Sequence, residues 1–122
     1  MFAECNQKTF EFHPLGGREV VGRFDGGTIS SDGGGVLLRE VELRTGIIRQ
    51  FAACFTDHRN ADLIEHTPLE LVAQRVYALA LGYEDLNDHD HLRHDRLFAV
   101  LLGKLEAKRS DCAPIAGKST LN

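Results

Sequence analysis

Apolar and polar positions divide the chain into a short extended stretch, a glycine-rich break and a run of helical segments. Thr9-Phe10-Glu11-Phe12-His13 alternates, and Glu19-Val20-Val21-Gly22-Arg23-Phe24 is rich in β-branched and aromatic residues. Pro14-Leu15-Gly16-Gly17 between them supplies turn chemistry, so these residues predict a β-hairpin. A lone hairpin is marginal in water and needs something to cover it. Asp25 to Gly35 is a glycine-rich connector. Its spacing fits neither the dinucleotide fingerprint nor a P-loop, and it predicts a turn with Ser or Asp near a helix N-cap.

From Val36 the period becomes helical. Leu37, Leu38 and Val41 share one face of a helix over 36–44, stopped by Gly46. Ile47, Ile48, Phe51 and Phe55 continue the spacing into a second short helix, and Thr56-Asp57-His58-Arg59-Asn60 is a polar break. The strongest signal starts at Thr67, an N-cap followed by Pro68 at the first helical position and Glu70 in capping-box position. This helix runs to Leu81 and stops at Gly82. Leu69, Val72, Val76 and Leu79 form one stripe, and Leu71, Ala73, Ala78, Ala80 and Leu81 fill most of the remainder. A helix apolar nearly all round belongs at the centre of a core. Leu86 to Arg93 and Leu97 to Leu102 predict two more short helices, the second capped by Asp95 and stopped by Gly103. Residues 104–118 read as a polar loop, and Ser119 as a helix start.

The chain has 122 residues, room for one small domain, and 43% hydrophobic content is ordinary for a soluble globular protein. No apolar run approaches a membrane span, and Met1-Phe2-Ala3-Glu4-Cys5 lacks the pattern of a signal peptide. Cys5, Cys54 and Cys112 are far apart and odd in number, which fits reduced thiols and a cytoplasmic location. Cys54, on an apolar helical face, reads as a buried and inert thiol. The net charge of -4 argues against nucleic acid, but its distribution is uneven. Residues 57–95 carry nine acids against three bases, whereas residues 96–122 carry five bases against two acids. That basic tail is either a solvated surface or a phosphate-contacting one.

The densest chemistry lies in Asp85, Asn87, Asp88, His89, Asp90, His91, His94 and Asp95. A calcium loop starting at Asp85 fails, because Asp90 stands where glycine is needed and Arg96 where glutamate is needed. His91 and His94 could share a helix face as zinc ligands with Asp90 or Asp95, but no CxxC or HExxH pattern supports them. The alternative is an acid-rich helix start favoured by the helix dipole and packed against other protein. Gly117-Lys118-Ser119 imitates a P-loop ending, yet Cys112 occupies the position of the required glycine. His58 and His66 offer acid/base pairs with Asp57 and Glu65, against a simpler reading as surface loop residues.

Several segments in order resemble the N-terminal third of group 1 DDE transposases of bacterial insertion sequences. They are Phe24-Asp25-Gly26-Gly27, Ser30-Ser31-Asp32-Gly33-Gly34, Leu37-Leu38-Arg39-Glu40, Asp57-His58-Arg59, Gln74-Arg75-Val76-Tyr77 and Ala80 to Asp90. Leu92-Arg93, Asp95 and Ile115 to Asn122 complete the set. One departure is Arg96, where the family usually has proline; it weakens the start of the next helix without removing the fold.

The resemblance implies a fold that is mainly α with a short N-terminal β-hairpin, an incomplete N-terminal segment of an α/β RNase H-like transposase. Residues 1–35 would hold the hairpin and glycine-rich connector, and residues 36–122 a helical segment cut off at its C-terminus. The full-length relatives cleave DNA at the element's ends and transfer the freed strand. They use two aspartates and a glutamate with Mg²⁺ or Mn²⁺. No carboxylate of this chain matches those three, so the resemblance implies no catalytic, metal or cofactor residue here and no activity of the chain alone. DNA would be the partner of the whole enzyme, with Arg75, Arg93, Arg96, Lys104, Lys108 and Arg109 as candidate contacts. No membrane partner is expected, and self-association is, through uncovered apolar surface. Two other classes remain open: a stand-alone helical interaction module, and a small metal-dependent hydrolase built on the 85–95 cluster.

Overall fold

A computed structural model describes residues 9–23, 32–104 and 114–122. The rest of the glycine-rich connector, Lys108, Arg109, Cys5 and Cys112 lie outside the described residues. About half of what is described is helical, beside one two-stranded antiparallel hairpin. No helix among the described residues is long and apolar enough to cross a membrane.

Strand β1 (Phe10–Leu15) pairs with β2 (Arg18–Gly22), Phe10 opposite Gly22 and Phe12 opposite Val20. The predicted turn is shorter than expected: Pro14 and Leu15 belong to β1, and Gly16-Gly17 alone make the bend. The register breaks between Phe12 and Leu15, which is how a strand tolerates Pro14. The carbonyls of His13 and Pro14 are taken up by a buried Arg39, whose guanidinium donates to them at 2.6 and 3.1 Å. Glu40 accepts from the His13 backbone N–H and pairs with its ring. These bonds fasten the hairpin to helix α1 (Gly35–Thr45); Leu15 is the hairpin's buried side chain, while Phe10 and Val21 stay exposed.

Helix α1 begins after Gly34 without a side-chain cap. Asp32 stands nearby, but its carboxylate accepts from the Tyr83 hydroxyl at 2.6 Å and does not cap the helix. Helix α2 (Ile47–Ala52) follows the left-handed Gly46. Helix α3 (Pro68–Ala80) starts with the predicted Thr67 cap, the Glu70 N–H donating to Thr67 Oγ1 at 3.2 Å, while the Glu70 carboxylate turns to Lys104 and His66 and not back to Thr67 as a capping box would have it. It ends in a Schellman turn: Tyr83 N–H bonds Ala78 O and Gly82 N–H bonds Leu79 O. Helices α4 (His89–Leu92), α5 (Arg96–Leu101) and α6 (Lys118–Leu121) complete the body. Asp95 caps α5 through the Leu97 and Phe98 N–H groups, and α5 closes on Gly103 with the same turn as α3.

The core joins Ala73, Tyr77 and Ala78 of α3 to Ile48, Leu92, Phe98, Leu101 and Ile115. Helix α3 is central, but the expected stripe is not its inner face. Leu69 and Leu79 are exposed, Val72 and Val76 are half-buried, and the buried positions are Ala73, Gln74, Tyr77 and Ala78. Small Ala73 and Ala78 allow close approach of neighbouring elements, and Tyr77 fills the volume beside them. Likewise Leu37, Val41, Ile47, Phe51 and Phe55 face outward, and Ile48 and Ala52 of α2 are buried. Cys54 is exposed, with its thiol near Gln50 O, which corrects the expectation of burial.

Candidate functional site

The acid- and histidine-rich run lies between the end of α3 and the start of α5, and most of its side chains hold the backbone in place. Asp85 opens a 3-10 turn (Leu86–Asp88) by accepting from the Asn87 N–H at 2.8 Å. That bond holds its carboxyl below the usual range. Asp90 accepts from the Lys118 N–H at 3.0 Å, and this bond lowers its carboxyl too. The Lys118 ammonium donates to Asn87 Oδ1 at 2.9 Å and lies 3.7 Å from Asp90. Lys118 is thus an anchor for α6, not a phosphate-binding lysine.

His89 is fully buried, between Gln74 and Arg75 of α3. The Gln74 amide is oriented by Ala116: its Nε2 donates to Ala116 O at 2.7 Å, and its Oε1 accepts from Ala116 N–H at 3.1 Å. The remaining Nε2 hydrogen therefore points at His89 Nδ1, 2.9 Å away, while Arg75 Nη1, also a donor, lies 3.3 Å from His89 Nε2. Burial, and after it the Arg75 charge, push the imidazole below its ordinary pKa, so the ring is neutral near pH 7. Beside this junction Gly117 lies against Arg93 and Asp90; a Cβ there would come within 3.1 Å of both side chains.

His91 and His94 are exposed, and no group of three or more His, Cys, Asp or Glu among the described residues could hold a metal ion. Divalent metals of the kind the resemblance implies for full-length relatives do not fit this donor set. Asp85, Asp90 and Asp95 are engaged as caps or anchors, and His89 is enclosed by donors. The other imagined acid/base pair divides differently. Asp57 binds Arg59, which holds its carboxyl at about 2, and His58 stays exposed. His66 is buried 3.6 Å from Glu70, while Glu65 stands 4.0 Å off.

The basic candidates are equally mixed. Arg75 donates to the carbonyls of Tyr83 and Glu84, and Lys104 lies 2.8 Å from the Glu70 carboxylate. Arg93 is half-buried against Gly117, whereas Arg96 is exposed on α5. Gln74 and Ala116 were invisible as a pair in the sequence. An amide at Gln74, between Ala73 and Arg75 of a mostly apolar helix, was the one signal available. A groove of about 330 Å³ opens next to this junction, lined by Leu71, Val72, Arg75, Leu86, Thr120 and Leu121.

The sequence profile of the transposase DDE domain, group 1, matches residues 12–122. The chain belongs to that family. No curated protein and no solved structure matches it.

Proposed function

We propose that this chain serves DNA transposition as the non-catalytic helical portion of a group 1 DDE transposase, packing beside an RNase H-like catalytic domain. The observation that carries the reading is the engagement of its acidic run: Asp85 and Asp95 cap, Asp90 anchors α6, and His89 is locked in the core. A two-metal centre needs carboxylates that converge on open space, which these do not. The groove between α3 and α6 offers such a neighbouring domain an apolar seat. Mg²⁺ or Mn²⁺ would be bound in that domain. Arg96, with Lys108 and Arg109, would add weak, sequence-independent contacts to the DNA ends that fade with salt. The setting is the cytoplasm.

The test is plasmid nicking with Mg²⁺ or Mn²⁺. The chain alone should leave supercoiled DNA intact. Metal-dependent nicking that disappears in Asp88→Ala or Asp90→Ala would overturn the reading in favour of a small metal-dependent hydrolase. A second reading, a stand-alone helical interaction module, draws on the outward-facing Leu37, Val41, Phe51 and Phe55. Nanomolar binding to one DNA sequence at physiological salt would argue against both.

A further inference from the structure

His89 is 0% exposed, so its ring nitrogens have only protein to bond. Each nitrogen meets a donor: Gln74 Nε2 stands 2.9 Å from Nδ1, and Arg75 Nη1 stands 3.3 Å from Nε2. A neutral imidazole has one acceptor nitrogen, and an imidazolium has none. The neutral ring can serve Gln74, because Arg75 has the Tyr83 and Glu84 carbonyls to bond instead. The protonated ring can serve neither.

The Gln74 amide cannot adapt without loss. Its Nε2 also donates to Ala116 O at 2.7 Å, and its Oε1 accepts from Ala116 N–H at 3.1 Å. Turned over, the amide would offer Oε1 to a protonated Nδ1. The same turn would set Oε1 against Ala116 O and the amide nitrogen against Ala116 N–H. One amide therefore satisfies either a neutral His89 together with Ala116, or a charged His89 alone. Gln74 and Ala116 are each 1% exposed, so solvent does not replace a lost partner while the segment stays docked.

The charges around the ring do not remove this conflict. Arg75 faces it from α3 and disfavours a second cation. Asp88 and Asp90, on its own run, favour one, but Asp90 accepts from the Lys118 N–H and faces the Lys118 and Arg93 charges as well. Residues 115–117 bring no titratable side chain.

We propose that the Gln74–His89 contact is a proton-operated latch: a proton taken up by His89 turns the Gln74 amide and releases Ala116 from α3. The released segment leads into α6, whose Thr120 and Leu121 wall the groove beside α3. The bonds of Lys118 to Asn87 and Asp90 are exposed and hold α6 weakly on their own. Acid thus opens a groove that neutral pH keeps shaped. The latch lies wholly within this chain, so it stands or falls independently of the catalytic-domain reading.

The experiment is amide hydrogen exchange by NMR on the 122-residue chain, from about pH 7.5 to about pH 4.5, a range that spans the ordinary histidine pKa. Protection of the Ala116 N–H, corrected for the intrinsic pH dependence of exchange, should fall about tenfold per pH unit below about pH 6.5, the slope that one linked proton gives. Protection of the Leu102 N–H, bonded to Phe98 O in α5, should hold over the same range. The His89 ring signals and the Ala116 amide signal should shift with a single midpoint. His89→Gln should keep Ala116 protected and remove the slope, because an amide at position 89 can accept from Gln74 at every pH. An Ala116 N–H that stays protected while the His89 ring titrates would overturn the latch. So would loss of protection at Ala116 and Leu102 together, which is general acid unfolding, or a slope that persists in a folded His89→Gln. Where that variant does not fold, the wild-type ring and amide signals decide alone.

Discussion

The junction around Gln74 and the face formed by α1 and α2 reverse the usual placement of polar and apolar groups. Gln74 and His89 are polar and almost wholly buried, whereas Leu37, Val41, Ile47 and Phe51 are apolar and more than half exposed. The difference teaches that burial here is decided by partners as well as by hydropathy. Gln74 is buried because Ala116 and His89 satisfy its amide, and a satisfied buried amide costs little. The apolar side chains of α1 and α2 are exposed because no described element lies over them, and an exposed patch of this kind marks an interaction surface.

The comparison can be broken at its core first. Phe98, fully buried and edge-on to Tyr83, should on change to Ala lower the unfolding free energy by about 3–5 kcal/mol, read by urea denaturation. Gln74→Leu keeps volume and apolar character but strands the Ala116 N–H and C=O. It should cost about 2–3 kcal/mol, although it makes the helix more hydrophobic. A neutral or stabilising result would show that the junction is an ordinary apolar contact.

A third measurement uses pH. The folded pKa of His89 lies below its unfolded value near 6.5, so the unfolded chain takes up the proton more readily. Stability from this residue is complete above about pH 6.5 and declines as pH falls through the folded value. His89→Gln should flatten that decline and leave the carboxylate-driven loss at lower pH, where Asp85, Asp90 and Glu40 take up protons. The smallest effect belongs to the outward face: Leu79→Ala should cost less than about 1 kcal/mol, since Leu79 is 48% exposed. A loss of several kcal/mol in the isolated monomer would place Leu79 in the core and erase the contrast.

What the sequence made legible follows the range of the interactions. Helix boundaries at Thr67, Gly82, Asp95 and Gly103 were readable because caps and stops are settled within a few residues. The inner side of α3 was not, because apolar residues surround it and no stripe is distinguished by hydropathy alone. Gln74 could not be paired with Ala116, 42 residues away. At the acidic run, the capping role of Asp95 was visible from its place before an apolar helix. The roles of Asp85 and Asp90 depend on a 3-10 turn and on Lys118, which spacing does not reveal.

The Gln74–Ala116 bond has a kinetic consequence. Ile115, 1% exposed, and Ala116 must dock before the core around α3 and α5 is closed. Bringing residues 42 positions apart together costs loop-closure entropy that local helix formation does not. During synthesis at about 5–20 residues per second, α3 is therefore made seconds before its final neighbours exist. Through that interval the helix carries an open apolar side and an unpaired amide. The growing chain is most vulnerable to aggregation then, and completion of the Ile115-Ala116 segment ends the exposure.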